Sequence, residues 1–271
     1  MDRRVLELRR LVWAHYKKDG RHDLPWRKTK DSYRILVSEL MLQQTQVARV
    51  VPKYQAFIKQ FPTIRALAKV PLAEVLKAWQ GLGYNRRAKF LLLLARQVMN
   101  EYKGVLPQDE VRLRQLPGIG PATATAVRAF AFNLPGAYLE TNVRTVFLHH
   151  LFADKMRVPD SELLPFVVAA ARNQSSREWN WALLDYGAWL KTQVVNPTRK
   201  SKHYAKQSKF QGSRRQLRGQ ILRLLSKNNF TTVYSLATQT RRPRAEVGSV
   251  VLDLHNEGLV SVRGDRVGLV G

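Results

Sequence analysis

Through most of the first 190 positions apolar residues recur at three- and four-residue spacing, the pattern of helices that each bury one face. Val5, Leu8, Leu11, Val12 and Tyr16 form one such stripe, with Arg and Lys opposite. Lys30-Asp31-Ser32 is a helix-start signal. The run that follows, SYRILVSELMLQQTQVARVVPKYQAFIKQF, predicts a long helix broken at Pro52, whose ring removes a backbone donor. Shorter helices are predicted over 64–69, 72–79, 86–102 and 111–116. The last of these runs into Pro117-Gly118-Ile119-Gly120, and an apolar helix is predicted from 121 to 132. Further helices are predicted at 140–152, 161–172 and 178–192. No strand-like alternation precedes residue 195, so this part reads as all-α.

The pattern changes at Lys191. From there to Arg218 the chain carries many Lys and Arg and no Asp or Glu, with Asn196-Pro197 and Gly212 among several Ser and Gln. Residues 191–213 therefore read as a basic linker, either a solvated run or a segment that holds nucleic acid. Structure resumes near Arg214. LRGQILRLLSKN is an amphipathic helix, TVYSLATQT a second and RAEVGSVVLDLHNEG a third. LVSVRGDRVGLV then alternates on both sides of Gly264-Asp265, a two-residue hairpin signal. Three helices and a hairpin make residues 214–271 a winged-helix-like α+β module. Such a module docks on DNA or on other protein, and Arg241, Arg242 and Arg244 before its third helix favour DNA.

Charge sharpens this picture. The 271 residues carry 46 Lys+Arg against 20 Asp+Glu, a formal charge of +26, yet 45% are hydrophobic, which is enough for real cores. A folded chain with so large a positive excess expects a polyanionic partner, nucleic acid before anionic membrane. There is no cysteine, which removes disulfides, thiolate metal sites and cysteine nucleophiles; no metal site is expected. No apolar run approaches the roughly 20 residues of a membrane span, and MDRRVLELRR is too charged for a signal peptide. The expectation is a soluble, monomeric, cytoplasmic protein, nucleoid-associated if bacterial.

Three stretches carry chemistry. In Leu116-Pro-Gly-Ile-Gly120, Pro117, Gly118, Ile119 and Gly120 make a tight turn whose N–H groups open the next helix, an anion site suited to one backbone phosphate. Set between two helical segments, it reads as a helix-hairpin-helix element. Glu39, in Ile35-Leu-Val-Ser-Glu-Leu-Met-Leu42, has apolar neighbours around its helix. Burial would raise its pKa and suit it to general-acid work; a solvated surface Glu is the alternative. Glu140, in Tyr138-Leu-Glu-Thr-Asn-Val-Arg144, is either a functional carboxylate or simply a helix N-cap.

Leu24-Pro-Trp-Arg27, Ser38-Glu-Leu-Met-Leu-Gln-Gln-Thr-Gln-Val47, Gly81-Leu-Gly-Tyr84, Leu116-Pro-Gly-Ile-Gly120 and Leu139-Glu-Thr-Asn-Val143 stand in the order and near-spacing of a known family. Over about residues 8–190 the chain resembles the MutY-type adenine DNA glycosylases of the helix-hairpin-helix superfamily that includes endonuclease III. The resemblance implies a mainly α helix-hairpin-helix glycosylase domain over 1–190. It implies that Glu39 is the general acid protonating an extruded adenine, and that Glu140 stabilises the oxocarbenium-like sugar. Asn142 falls where the family orients water or substrate. Trp26 and Arg27 match residues that hold the flipped base, Asp185 an acidic residue near it, and Ala122 another position of that pocket. Gln44 and Tyr84 match residues that wedge into the duplex, with Gln43, Leu82 and Arg86 on the same DNA-facing surface. Trp79, Trp179 and Trp181 read as core.

The sequence departs from that family in four places. The family's second carboxylate is Asp, and here it is Glu140, longer by one methylene. Ala122 stands where endonuclease III relatives carry a nucleophilic Lys, so no Schiff base can form and a monofunctional enzyme without β-lyase activity is expected. The four cysteines of the family's [4Fe–4S] cluster align without gaps to Lys191, Thr198, Ser201 and Gln207, so no cluster is expected. Many members of the family also carry a C-terminal Nudix-like domain that recognises 8-oxoguanine, whereas residues 214–271 here are expected to form a winged-helix-like module. The expectation is excision of adenine opposite 8-oxoguanine or guanine in double-stranded DNA. A glycosylase for uracil, mismatched thymine or hypoxanthine, and a catalytically silent lesion sensor, are the alternatives.

Overall fold

A computed structural model describes residues 2–206, 209–228 and 230–270. In chain order the helices are α1 (Arg3–Asp19), α2 (Ser32–Leu42), α3 (Val47–Gln60), α4 (Ile64–Ala68), α5 (Leu72–Ala78), α6 (Arg86–Glu101), α7 (Glu110–Arg114), α8 (Pro121–Phe132), α9 (Thr141–Leu151), α10 (Asp160–Ala171) and α11 (Ser176–Gln193). Then come α12 (Arg214–Leu225), strand β1 (Thr231–Thr232), α13 (Val233–Thr240), α14 (Arg244–Asn256), β2 (Val260–Arg263) and β3 (Arg266–Leu269). The molecule is mainly helical, as the periodicity predicts.

The long helix expected from residue 32 does end early, but not at Pro52. It stops at Leu42, and Pro52 lies inside α3. The break is made by Gln44, whose φ of 54° turns the chain left-handed and ends the helix before any proline is reached. β1 is a second difference. Its two residues pair with β3, giving a three-stranded antiparallel sheet of order β1-β3-β2 in place of a bare hairpin. The hairpin itself is in the expected register, with Arg263 opposite Arg266 and Gly264 at φ 61° in the turn.

The chain divides into two compact units, and α2 runs from one into the other. The first contains residues 1–36, 107–115 and 119–206. Here α11 lies against α9, α1 and α8. Its Trp179 is fully buried and tilted against Trp13 at 5.8 Å between centroids. Arg9 on α1 donates to the carbonyls of Ala169, Ala170 and Arg172 at the C-terminal end of α10, where a helix runs out of its own donors. Residues 191–206, expected as the start of a linker, fold into this unit. A turn at Pro197–Lys200 packs on α9, and Val158 bridges Ser201 in parallel.

The second unit contains residues 37–106, 116–118 and 207–271. In it α4 and α5 pack on α6, with Phe57 edge-on to the buried Trp79. The module beginning at α12 belongs to this same unit. Lys89 Nζ donates to the Glu257 carbonyl at 2.6 Å, and Gln80 bonds Ser226. Its core is Leu217, Ile221, Leu236, Val247, Val250, Leu254 and Val267. Ser213 caps α12 and Thr232 caps α13, each accepting a backbone N–H as an N-cap hydroxyl should.

Candidate active site

In the first unit, Glu140 is the N-cap of α9. Its Oε1 accepts the N–H of Asn142 at 2.5 Å and of Val143 at 3.1 Å. The N-cap reading therefore holds, and the capping bonds immobilise the carboxylate. An Asp cap would use the same N2 and N3 donors, so here the helix end sets the charge's position. Burial pushes the Glu140 carboxyl above its ordinary value, against the two N–H bonds and the nearby Lys191 and Arg144 charges. Lys191, at the first cysteine position of the family pattern, donates to Asn142 Oδ1 at 2.7 Å. Burial draws this lysine below the usual ammonium range, and the Glu140 charge opposes that.

Gly187 on α11 makes this cluster possible. A Cβ there would overlap the Asn142 carbonyl oxygen and lie 2.8 Å from its carbon. Gly187→Ala is expected to cost about 1–3 kcal/mol by overpacking. It should also slow turnover far more than the stability loss explains, because it displaces the turn that carries Glu140. Denaturant midpoints and single-turnover rates measured side by side check both.

Asp185 lies midway along α11 and is 3% exposed. Arg27 grips it with Nη1 and Nη2 at 2.6 and 2.9 Å, and Arg21 donates both Nε at 2.6 Å and its backbone N–H at 2.8 Å. Burial pushes the carboxyl up, but the Arg27 and Arg21 bonds and charges outweigh it and hold it below its ordinary value of 3.8. Asp185 thus fixes Arg27, whose guanidinium also lies over Trp181 at 5.3 Å. Arg27 Nε is buried with no hydrogen-bond partner among the described residues, a donor available to a ligand. Trp26 beside it is buried. Asp185→Asn strands the Arg27 charge and is expected to destabilise the fold by about 3–5 kcal/mol. A depressed pKa means this contribution is present above the ordinary Asp value and is lost as pH falls through the depressed one. The gap between wild type and variant in urea titrations should therefore close in strong acid.

In the second unit, Glu39 sits half-buried on α2 between the buried Ser38 and Leu40. The loop after α2 carries Gln43 and the exposed Gln44; the loop before α6 carries Leu82 and the exposed Tyr84. Gln44 and Tyr84 both have positive φ, 54° and 47°. Leu82 and Ile119 are buried, so what they can present to a duplex is backbone. Arg86 is exposed and stacks on Phe90 at 5.4 Å. Gly118 has φ 78°, and a Cβ on it would lie 2.8 Å from Phe90 Cβ, so two independent constraints require glycine there. Gly120 caps α8 and Pro121 opens it; Ala122, also in its first turn, is exposed.

Between these two loops lies a residue the sequence reading missed, Arg87. It is 7% exposed and bonds carbonyls from both loops. Beside Arg86 in a basic chain, nothing in its spacing distinguishes it. In the C-terminal module Arg241 ends α13 with φ 54° and is exposed, as is Arg244 on the first turn of α14. Arg242 is half-buried and lies 3.7 Å from Glu246.

The family's cysteine positions do not fit an iron–sulfur cluster. Lys191 is committed to Asn142, and the buried Thr198 hydroxyl donates to Asn196 Oδ1 at 2.5 Å. Ser201 is buried beside Val158, and none of the three supplies a thiolate. Gln207 lies outside the described residues. No group of His, Asp and Glu able to hold a metal ion occurs among the described residues, and none of their helices is long and apolar enough to cross a membrane.

Residues 37–163 match the family described as HhH-GPD superfamily base excision DNA repair protein. The chain is 36% identical over 181 residues to the adenine DNA glycosylase of Buchnera aphidicola subsp. Baizongia pistaciae, covering 66% of this chain and 51% of that one. It is 50% identical over 128 residues to the adenine DNA glycosylase of Mycolicibacterium smegmatis, covering 47% and 44%. The chain thus spans about half the length of the curated relatives it matches. Among solved structures it is similar to a thermostable thymine-DNA glycosylase, with TM-score 0.61 and 27% identity over 73% of this chain and 90% of that one. Its fold is shared with endonuclease III in a non-covalent DNA complex, TM-score 0.55 at 21% identity over 69% and 85%.

Proposed function

We propose that the chain, whose residues 37–163 match the HhH-GPD superfamily of base excision DNA repair proteins, is a monofunctional DNA N-glycosylase that extrudes and excises adenine opposite 8-oxoguanine or guanine. The observation that carries this reading is the clamped Glu140, a desolvated carboxylate fixed by the N-terminal amides of α9 beside an Asn142 pinned by Lys191. A developing cationic sugar needs a preorganised anion, and a buried carboxylate held by two helix-terminal amides is suited to that need.

In this reading Glu39 donates a proton to a ring nitrogen of the flipped adenine, and the N-glycosidic electron pair leaves with the base. Glu140 stays ionised and stabilises the positive sugar until water adds to its anomeric carbon, with Asn142 orienting the reactants. Trp26 and the unpaired Arg27 Nε hold the base. Gln44 and Tyr84 fill the space it leaves, and the amides of the Pro117–Gly120 turn take a backbone phosphate. Ala122 offers no amine, so the sugar is released by water alone. The partner is double-stranded DNA bound by a monomer, in the cytoplasm or on the nucleoid.

A second reading, excision of a mismatched thymine or another base, is favoured by the small Ala122 and by the likeness to the thymine-DNA glycosylase. Duplexes carrying A:8-oxoG, A:G, T:G, U:G and I:T, treated with alkali after incubation, separate the two. Cleavage of the adenine strand is expected. Cleavage only at another base would establish the second reading, and none at all would leave a DNA-binding sensor.

Arg241, Arg242 and Arg244 are proposed to bind phosphates. Replacing all three with Ala should flatten the dependence of log K on log salt by about 1 for each phosphate no longer neutralised, uniformly across sequences. The Glu246 carboxylate beside Arg242 makes that residue the weakest contributor. An unchanged slope would assign the module to a protein partner.

A further inference from the structure

Arg87 is a guanidinium buried among carbonyl oxygens. Nη1 donates to Leu40, Met41 and Gln43 at 2.6, 3.1 and 2.6 Å, all at or just past the C-terminal end of α2. Nη2 donates to Thr45 Oγ1 at 3.2 Å in that same loop, and to Leu82 and Gly83 at 3.3 and 3.2 Å in the other. Nε reaches the Tyr84 carbonyl at 3.4 Å. The flat cation lies 5.6 Å from the Trp79 ring and 5.3 Å from the Tyr84 ring. From the C-terminal module, Arg215 Nη1 donates to the Tyr84 hydroxyl at 3.1 Å.

Gln44 and Tyr84 occupy the left-handed region, a conformation that costs a side-chain-bearing residue of order 1–3 kcal/mol and persists only where surroundings over-determine it. They are also the exposed wedge candidates of the two loops. A fork with five fixed donors is the side chain suited to tying two strands of carbonyls together; a lysine ammonium has a single reach. Burial draws Arg87 down to about 10, so it remains cationic at neutral pH.

We propose that Arg87 is a positioning residue that locks the 43–46 and 81–84 loops together, holding Gln44 and Tyr84 in the strained posture that enters the duplex, while Arg215 gives the C-terminal module a grip on the same tyrosine. This rests on the reading that Gln44 and Tyr84 are the wedge. The module is thereby part of lesion probing and not only an additional phosphate-binding surface.

The test uses the full chain with Arg87→Lys, which retains charge, and Arg215→Ala, which removes the bond to the Tyr84 hydroxyl. Amide hydrogen exchange needs no activity. In Arg87→Lys the amides of both loops should exchange at least about tenfold faster together, with α8 and α9 unchanged. In Arg215→Ala the change should be confined to 81–84. A 2-aminopurine beside the mispaired base should brighten on binding wild type, and most of that signal should vanish with Arg87→Lys. Single-turnover excision from the mismatch should fall by about a hundredfold in that variant. Most of the rate should return on a duplex whose adenine faces an abasic site and is already unstacked.

Unchanged exchange in either loop overturns the proposal. So does an equal rate deficit on both substrates, which marks a merely structural arginine. Wild type that excises no base from any duplex would sink the glycosylase reading, while exchange and fluorescence would still decide the role of Arg87.

Discussion

Glu39→Gln should abolish base release and leave DNA binding unchanged. Adenine is a poor leaving group as an anion, so the bond breaks at a useful rate only if a proton arrives as the electrons do. Positioned proton donors contribute typically about 10²–10⁴-fold, and glutamine retains the size of glutamate while supplying no acidic proton. Glu39 is half-buried between Ser38 and Leu40. Single-turnover rates with enzyme in excess, beside electrophoretic binding curves on the same duplex, check the two halves. A variant that cuts at the wild-type rate removes Glu39 from the chemistry.

Glu140→Gln is expected to cost about 10²–10³-fold in rate, the range for losing one preorganised electrostatic partner of a transition state. Its amide oxygen can still accept the Asn142 and Val143 N–H groups, so α9 should remain capped. Since burial holds the Glu140 carboxyl above its ordinary value of 4.5, the acid limb of the wild-type rate profile should lie above that value. The stability effect has the opposite sign. The folded chain binds more protons at this site than the unfolded chain between the ordinary and the raised pKa. Wild-type stability therefore declines as pH rises through that window. Glu140→Gln should thus be relatively more stable near neutrality than at acid pH, while being less active throughout. Melting curves across that range check it, and a relative loss of stability with rising pH would show that the capping bonds outweigh burial.

Helices were legible because their stripes are long, and α8 starts and stops at the predicted residues, 121 and 132. Pro52 misled because a proline is visible in a sequence and a left-handed glutamine is not. β1 was invisible because two residues give no alternation. The candidate site was legible as motifs but not as geometry. Glu140 could be seen to precede a helix, yet the lysine that pins Asn142 beside it comes from folding α11 against α9. Arg87 was hidden for a related reason, since its partners are backbone carbonyls, which every residue has. The compact units also could not be read from the chain, because α2 continues through their boundary with an unbroken apolar pattern.

The central claim is hydrolysis of one glycosidic bond without strand cleavage. The direct measurement is mass-spectrometric detection of free base after wild-type protein, in excess, meets a duplex with adenine opposite 8-oxoguanine. Free adenine equal to the duplex added is expected, with the strand intact until alkali is applied. No released base, or scission before alkali, would contradict the account.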